Sequence, residues 1–198
     1  MKELLLSNPI IWQSYRFFID KFFGMYRKRM ETIRRFGVTD SMSIIDIACG
    51  TGQYSALTNS SYLGVDLNPK YIEYAQNNYG NHSKRFLCAD ANNIPVPQIS
   101  YDVALLIDAT HHLSDDANNQ LFATFNRIFP RFVVICDPIK QNPRNFIGRF
   151  LNYLDRGNYI RTKHELTRLI EGKLAIEKVV DLKIMGIESV CIFAKPKI

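Results

Sequence analysis

Residues 43–54 read SIIDIACGTGQY. Two isoleucines and an aspartate run straight into Ala48-Cys49-Gly50-Thr51-Gly52. The first part has the apolar, β-branched character of a buried strand. The second part sheds its side chains. Glycine admits backbone angles that other residues avoid and lets a ligand approach the main chain closely. In an open α/β sheet the ligand lies beyond the carboxyl ends of the strands. A strand ending near Ile47 and followed by this loop therefore predicts both the fold class and the place where something binds.

The chain around this stretch alternates strands and helices. Strands are predicted at 43–47, 62–66 (YLGVD), 85–89 (RFLCA), 101–107 (YDVALLI) and 131–136 (RFVVIC). Helices fit NPKYIEYAQNNYG, with Asn68 as cap and Gly80 as stop, and residues 114–128, with Ser114 and Asp115 as cap candidates. Continuously apolar strands between helices indicate a parallel sheet covered on both faces. The tail differs. Residues 174–184 and 188–194 are strand-like and separated only by the turn at MGIE, so they must pair antiparallel. Two helices are predicted in the intervening NPRNFIGRFLNYLDRGNYIRTKHELTRLIEG.

Composition limits the alternatives. At 198 residues, 46% of them hydrophobic, the chain suits a single domain with one core. Its parts are an N-terminal helical arm (1–36), a central α/β core (40–138), a helical insertion (139–172) and a C-terminal hairpin (173–198). No apolar run reaches transmembrane length, and MKELLLSNPIIW lacks the features of a secretory leader. A cytoplasmic protein is expected. The net charge of +6 is uneven, since residues 1–36 hold eight Lys/Arg against three Asp/Glu. A uniformly basic nucleic-acid surface is not indicated. Cys49, Cys88, Cys136 and Cys191 lie far apart, without zinc spacing, and read as reduced core residues. A nucleophilic Cys136, as in RNA cytosine methyltransferases, lacks the sequence context.

The loop and the acid beyond it define the ligand further. Asp66 ends the second strand, 20 residues after Asp46, where a carboxylate can accept ribose hydroxyls. A nucleoside cofactor follows, and two kinds fit. A dinucleotide requires G-x-G-x-x-G, because its pyrophosphate must reach a helix N-terminus. Here Ser55 takes the third position. A sulfonium cofactor has no phosphate and needs no third glycine, and Asp46 supplies an early carboxylate for the loop or for the cofactor's amino-acid end. The antiparallel tail also disfavours the dinucleotide version.

These residues resemble the class I S-adenosyl-L-methionine (SAM)-dependent methyltransferases. The matching blocks are DIACGTG (46–52), GVDLNPKYIEYA (64–75), CADANNIP (88–95), YDVALLIDATHHLSD (101–115) and CDPIK (136–140). The likeness implies a Rossmann-like, mostly parallel seven-stranded sheet of order 3-2-1-4-5-7-6 with an antiparallel C-terminal hairpin. HHL after the fourth strand is similar to the ubiquinone-methyltransferase-like, small-molecule branch (methyltransferase type 11). Ala48 stands where the family often has glycine. The short stretch between Gly52 and strand two leaves room for about two helical turns.

Carried onto this chain, the resemblance implies that Asp46, Ala48, Cys49, Gly50 and Gly52 line the methionine side of SAM. Asp66 holds the ribose and Leu67 flanks the adenine. Asp90 accepts from the adenine amino group, with Ala91 beside it, and Ile107 and Asp108 complete the cofactor set. The electrophilic methyl needs mainly alignment and dryness, with a base only if the acceptor must lose a proton. His111 and His112 are the candidates, because histidine titrates near neutrality; their other reading is support for the following helix start. Asp108 and Asp137 end adjacent strands, but Pro138 follows Asp137 where the magnesium-dependent catechol type carries asparagine, so no metal is expected.

Acceptor binding is assigned to Tyr15, Arg156, Tyr159 and Arg161, the guanidinium pair suited to a phosphate or carboxylate. The predicted substrate is a small molecule, anionic or lipid-linked in the finer reading. An RNA acceptor and a SAM-binding domain without turnover are the rivals. The basic aromatic arm has three uses open to it: a lid over the cofactor, a peripheral contact with the inner face of an anionic membrane, or stacking on RNA. Apolar residues all round the helix favour the lid.

Overall fold

The computed structural model describes residues 24–91, 94, 100–154, 157–184 and 186–197. Of the expectations above, Tyr15, Arg156 and the arm before Gly24 lie outside these residues. Gly24, at φ 61°, precedes helix α1 (Met25–Arg35). The elements then follow as β1 (Ile44–Ile47), β2 (Tyr62–Asp66), α2 (Pro69–Tyr79), β3 (Lys84–Cys88), β4 (Val103–Ile107), α3 (Asp115–Ile128), β5 (Phe132–Pro138), α4 (Phe146–Leu154), α5 (Lys163–Glu171), β6 (Leu174–Ile184) and β7 (Ile187–Pro196). The strands form one seven-stranded sheet of order β3-β2-β1-β4-β5-β7-β6. β6 and β7 pair antiparallel, as do β5 and β7, while the β1–β2, β2–β3 and β4–β5 pairs are parallel.

Backbone proximity groups the chain into two compact units, Met1–Asn93 and Ile94–Ile198. In the first, every residue of β1 is buried, as expected of a strand covered on both faces. β3 is an edge strand with Leu87 exposed. Asn68 caps α2 by accepting the Lys70 N–H at 3.0 Å, and Pro69 fills the first turn, where a missing N–H costs nothing. The segment after Gly52 forms a single 3-10 turn, Gln53–Leu57. That is less than the two α-helical turns for which the spacing left room. Buried Tyr54, Ser55 and Leu57 anchor it.

In the second unit all five residues of β4 are buried. Helix α3 starts on Ser114, whose Oγ accepts the Ala117 N–H, with Asp115 and Asp116 at the positive end of the helix dipole. Helix α5 starts with a capping box between Thr162 and Glu165. These hydrogen bonds to Thr162 hold the exposed Glu165 carboxyl below its usual range.

The cysteines need a correction. Cys136 and Cys191 do not stay reduced. They face each other across the antiparallel β5–β7 pair, with Cα atoms 4.1 Å apart, and form a disulfide. Their separation of 55 residues hides this in the sequence; only the strand register brings them together. Of the two free thiols, Cys49 is buried as expected and Cys88 is exposed on the edge strand, not in the core.

Candidate active site

The first unit builds a tightly turned small-residue loop after β1. Ala48, Gly50 and Gly52 all adopt left-handed angles, at φ 57°, 56° and 83°. Three such residues in five turn the chain sharply at the end of β1. Asp66, at the end of β2, holds this turn: its Oδ2 accepts the Gly50 N–H at 2.8 Å, and its Oδ1 accepts the Asn68 N–H at 2.9 Å. The carboxylate is half-buried. Leu67, the next residue, is 70% exposed, an apolar side chain held in water beside a polar clamp. Asp90 is exposed and Ala91 half-buried, beyond the end of β3.

Gly52 in the loop and Asp46 in β1 also have structural tasks. A Cβ on Gly52 would lie 2.7 Å from the Phe86 ring and 3.0 Å from Ala75 Cβ. This glycine therefore lets the loop close on β3 and α2. Asp46 is buried and accepts the Tyr62 hydroxyl at 2.6 Å. Burial first, and the Asp46 charge second, push the Tyr62 phenol well above its usual range. Burial, then Asp46 and Asp66, raise the Cys49 thiol likewise, so Cys49 remains a protonated, unreactive core residue.

The second unit gathers its polar groups after β4 and β5. Ile107 is buried, and Asp108 follows it in the left-handed region at φ 54°. A short 3-10 turn, Thr110–His112, then leads to α3. His111 is buried, and its Nδ1 lies 3.0 Å from Oδ1 of the equally buried Asp137 at the end of β5. The Thr110 hydroxyl donates to the other carboxylate oxygen. His112 is exposed, its ring centroid 4.1 Å from that of His111. Asn118 ties the turn to α3 by donating to the carbonyls of Thr110, Leu113 and Ser114, each at 3.0 Å.

Arg161 departs from its expected role. Its Nε and Nη2 bind Asp115 Oδ1 at 2.9 and 2.5 Å, Nη1 donates to the carbonyls of Thr110 and Tyr159, and Nη2 also donates to that of Leu113. All five N–H donors of the guanidinium are thereby engaged within the chain. Instead of clamping an anion, the buried side chain straps residues 157–161 onto the 110–113 turn. The Tyr159 N–H donates to the His111 carbonyl at 2.9 Å, and a Cβ on Gly157 would fall 2.1 Å from His111 Cδ2. Tyr159 itself is 46% exposed. Sequence reasoning missed Asp137 as the partner of His111. The available signal was its position at the end of β5, next to the strand that delivers the histidines.

The seven-stranded sheet of this order is the Rossmann-like fold of the class I SAM-dependent methyltransferases. Residues 44–130, 87 of the 198 in the chain, match the family described as methyltransferase domain. Over 73 residues it is 36% identical to a phthiotriol/phenolphthiotriol dimycocerosates methyltransferase of Mycobacterium leprae, a match covering 34% of this chain and 27% of that protein. The match thus takes in about a quarter of that relative's length. Among solved structures, a SAM-dependent methyltransferase from Aquifex aeolicus superposes with a TM-score of 0.65 at 18% identity, covering 84% of this chain and 88% of that one. Geranyl diphosphate C-methyltransferase from Streptomyces coelicolor does so at 0.67 and 13% identity, covering 86% and 78%. SAM is the cofactor of this class.

Proposed function

We propose that this chain transfers a methyl group from SAM to a small molecule with a lipid-like portion. The observation that carries the reading is Asp66, a half-buried carboxylate held at the end of β2 by the Gly50 and Asn68 N–H groups, beside the left-handed loop. That carboxylate takes the ribose hydroxyls, Leu67 lies against the adenine with Asp90 and Ala91 beside it, and the Ala48–Gly52 backbone receives the methionine end. SAM supplies an electrophilic methyl. The lipid-like acceptor is supported by the Mycobacterium leprae relative's name; geranyl diphosphate, named for the Streptomyces enzyme, likewise joins an apolar chain to a polar end.

His112 is assigned as the base that removes the acceptor's proton, because it is the exposed member of the pair. His111 is a positioning residue. With Nδ1–H donated to Asp137 its tautomer is set, and its ring backs that of His112. The test is transfer of labelled methyl from SAM into organic-soluble and aqueous fractions of a cell extract. Label should enter the organic fraction. His112→Ala should lower turnover by about 100-fold or more while SAM affinity holds. Label confined to RNA or to the aqueous fraction would overturn the acceptor class.

A second reading has an observation behind it. His111 and Arg161 are buried and committed to internal bonds, as in a domain that binds SAM without turning it over. Binding with no transfer to any fraction would favour it.

A further inference from the structure

Helix α4 is built inside out. Its inward stripe is small and polar. Gly148 is buried, and a Cβ there would fall 2.5 Å from the Gly186 carbonyl, from Gln141 Oε1 and from Asn145 Nδ2. Asn145, just before the helix, donates to the Gly186 carbonyl, and Asn152 donates to the Ile139 carbonyl at 3.0 Å. Positions 145, 148 and 152 thus fix the helix to the protein by hydrogen bonds and close backbone approach. The opposite stripe carries the large apolar side chains. Phe146 is 76% exposed, Ile147 66%, Phe150 60% and Tyr153 79%. Successive residues turn by 100°, so these four share one face. A helix ordinarily buries such a stripe in the core and leaves its polar side in water. Here the sequence holds the polar side with specific bonds and presents the apolar side outward.

The charge along the helix and the segment before it has one sign. Between Asp137 and Asp155 the chain carries Lys140, Arg144 and Arg149 and no acidic residue. Arg144 and Arg149 are exposed. Lys140 lies 3.5 Å from Glu165 and counts for less. On β7, which packs against α4, Glu188 lies 3.9 Å from Lys183 and is partly neutralised. An apolar helix face with arginines along it and no competing carboxylate on the helix complements an anionic interface of lipid headgroups and acyl chains.

We infer that α4 docks the protein on an anionic membrane surface, with Phe146, Ile147, Phe150 and Tyr153 entering the headgroup–acyl boundary and Arg144 and Arg149 pairing with lipid phosphates. Nine residues span roughly 14 Å, enough to lie in the interface and too short to cross it.

The test is co-sedimentation of the full chain with vesicles of phosphatidylcholine alone and of phosphatidylcholine mixed with phosphatidylglycerol. The wild type should bind the mixed vesicles and release them as salt rises. Phe146→Ser/Phe150→Ser should weaken that binding by about tenfold or more, with the circular dichroism spectrum and melting temperature unchanged because both rings already face water. Arg144→Gln/Arg149→Gln should weaken binding to the mixed vesicles and leave the weak binding to phosphatidylcholine as it was. Tyr153→Ser, at the most exposed of the four positions, repeats the test should the double variant fail to fold. No binding by the wild type would overturn the inference. Binding unchanged in the phenylalanine variant would overturn it too, as would self-association of the wild type that this variant abolishes, which would assign the face to a second copy of the chain. None of these readouts depends on methyl transfer.

Discussion

Ala48 adopts a conformation that alanine resists. At φ 57° its Cβ crowds the following carbonyl, at a cost of roughly 1–2 kcal/mol. The side chain is exposed, so nothing packs on it to offset the cost. Ala48→Gly should therefore stabilise the protein by up to about 1 kcal/mol, the gain being reduced by glycine's freedom in the unfolded chain; equal or lower stability in urea melts would contradict the assigned backbone. The thiols give a second check. Cys88 should react with a thiol reagent in the native protein, Cys49 only after unfolding, and Cys136 and Cys191 only after reduction. Tyr62 gives a third, in pH. Its native pKa is raised, so its contribution is fully present below the unfolded value of about 10 and is lost as pH climbs from there through the native value. Tyr62→Phe should flatten the alkaline fall in stability, and an unchanged alkaline limb would contradict the burial of the Tyr62–Asp46 pair.

Among the elements, the 110–113 turn depends most on distant residues. Arg161 satisfies the carbonyls of Thr110 and Leu113 from 48 or more residues away. Removing it takes away one donor from each of these carbonyls, which keep Asn118, and breaks the Asp115 interaction as well. Because Asp115 is itself 69% exposed, most of the loss comes from the carbonyls and little from the ion pair. Arg161→Met should cost about 1–2 kcal/mol in denaturant melts, whereas a loss under about 0.5 kcal/mol would show that the strap does not hold the turn. The strands and helices were legible because each signal is local. Buried strands read as apolar runs, Asn68-Pro69 and Ser114 announce helix starts, and MGIE forces a tight reversal. The strap was not legible. An arginine beside a tyrosine in a polar segment has the same sequence signature whether it clamps a ligand or spans backbone carbonyls. The same holds for Cys136 and Cys191, which only strand register pairs, and for the 3-10 turn after Gly52, where the predicted room was left unused.

For the molecule as a whole, the strand order came from the family likeness together with the tail hairpin, and the structure has that order. The site was legible in proportion to how much of it is backbone. Gly50, Gly52 and Asp66 announce themselves because turns and strand ends restrict residue type. The acceptor side does not, because methyl transfer demands little beyond alignment and leaves few obligatory side chains. Calorimetric titration of the full chain with SAM, S-adenosylhomocysteine and NAD, for the wild type and for Asp66→Ala, tests the central claim most directly. The wild type should bind both SAM compounds at micromolar concentrations and not NAD, and Asp66→Ala should lose that binding while keeping its fold. Binding of NAD with neither SAM compound, or an Asp66→Ala variant with unchanged affinity for SAM, would contradict the account.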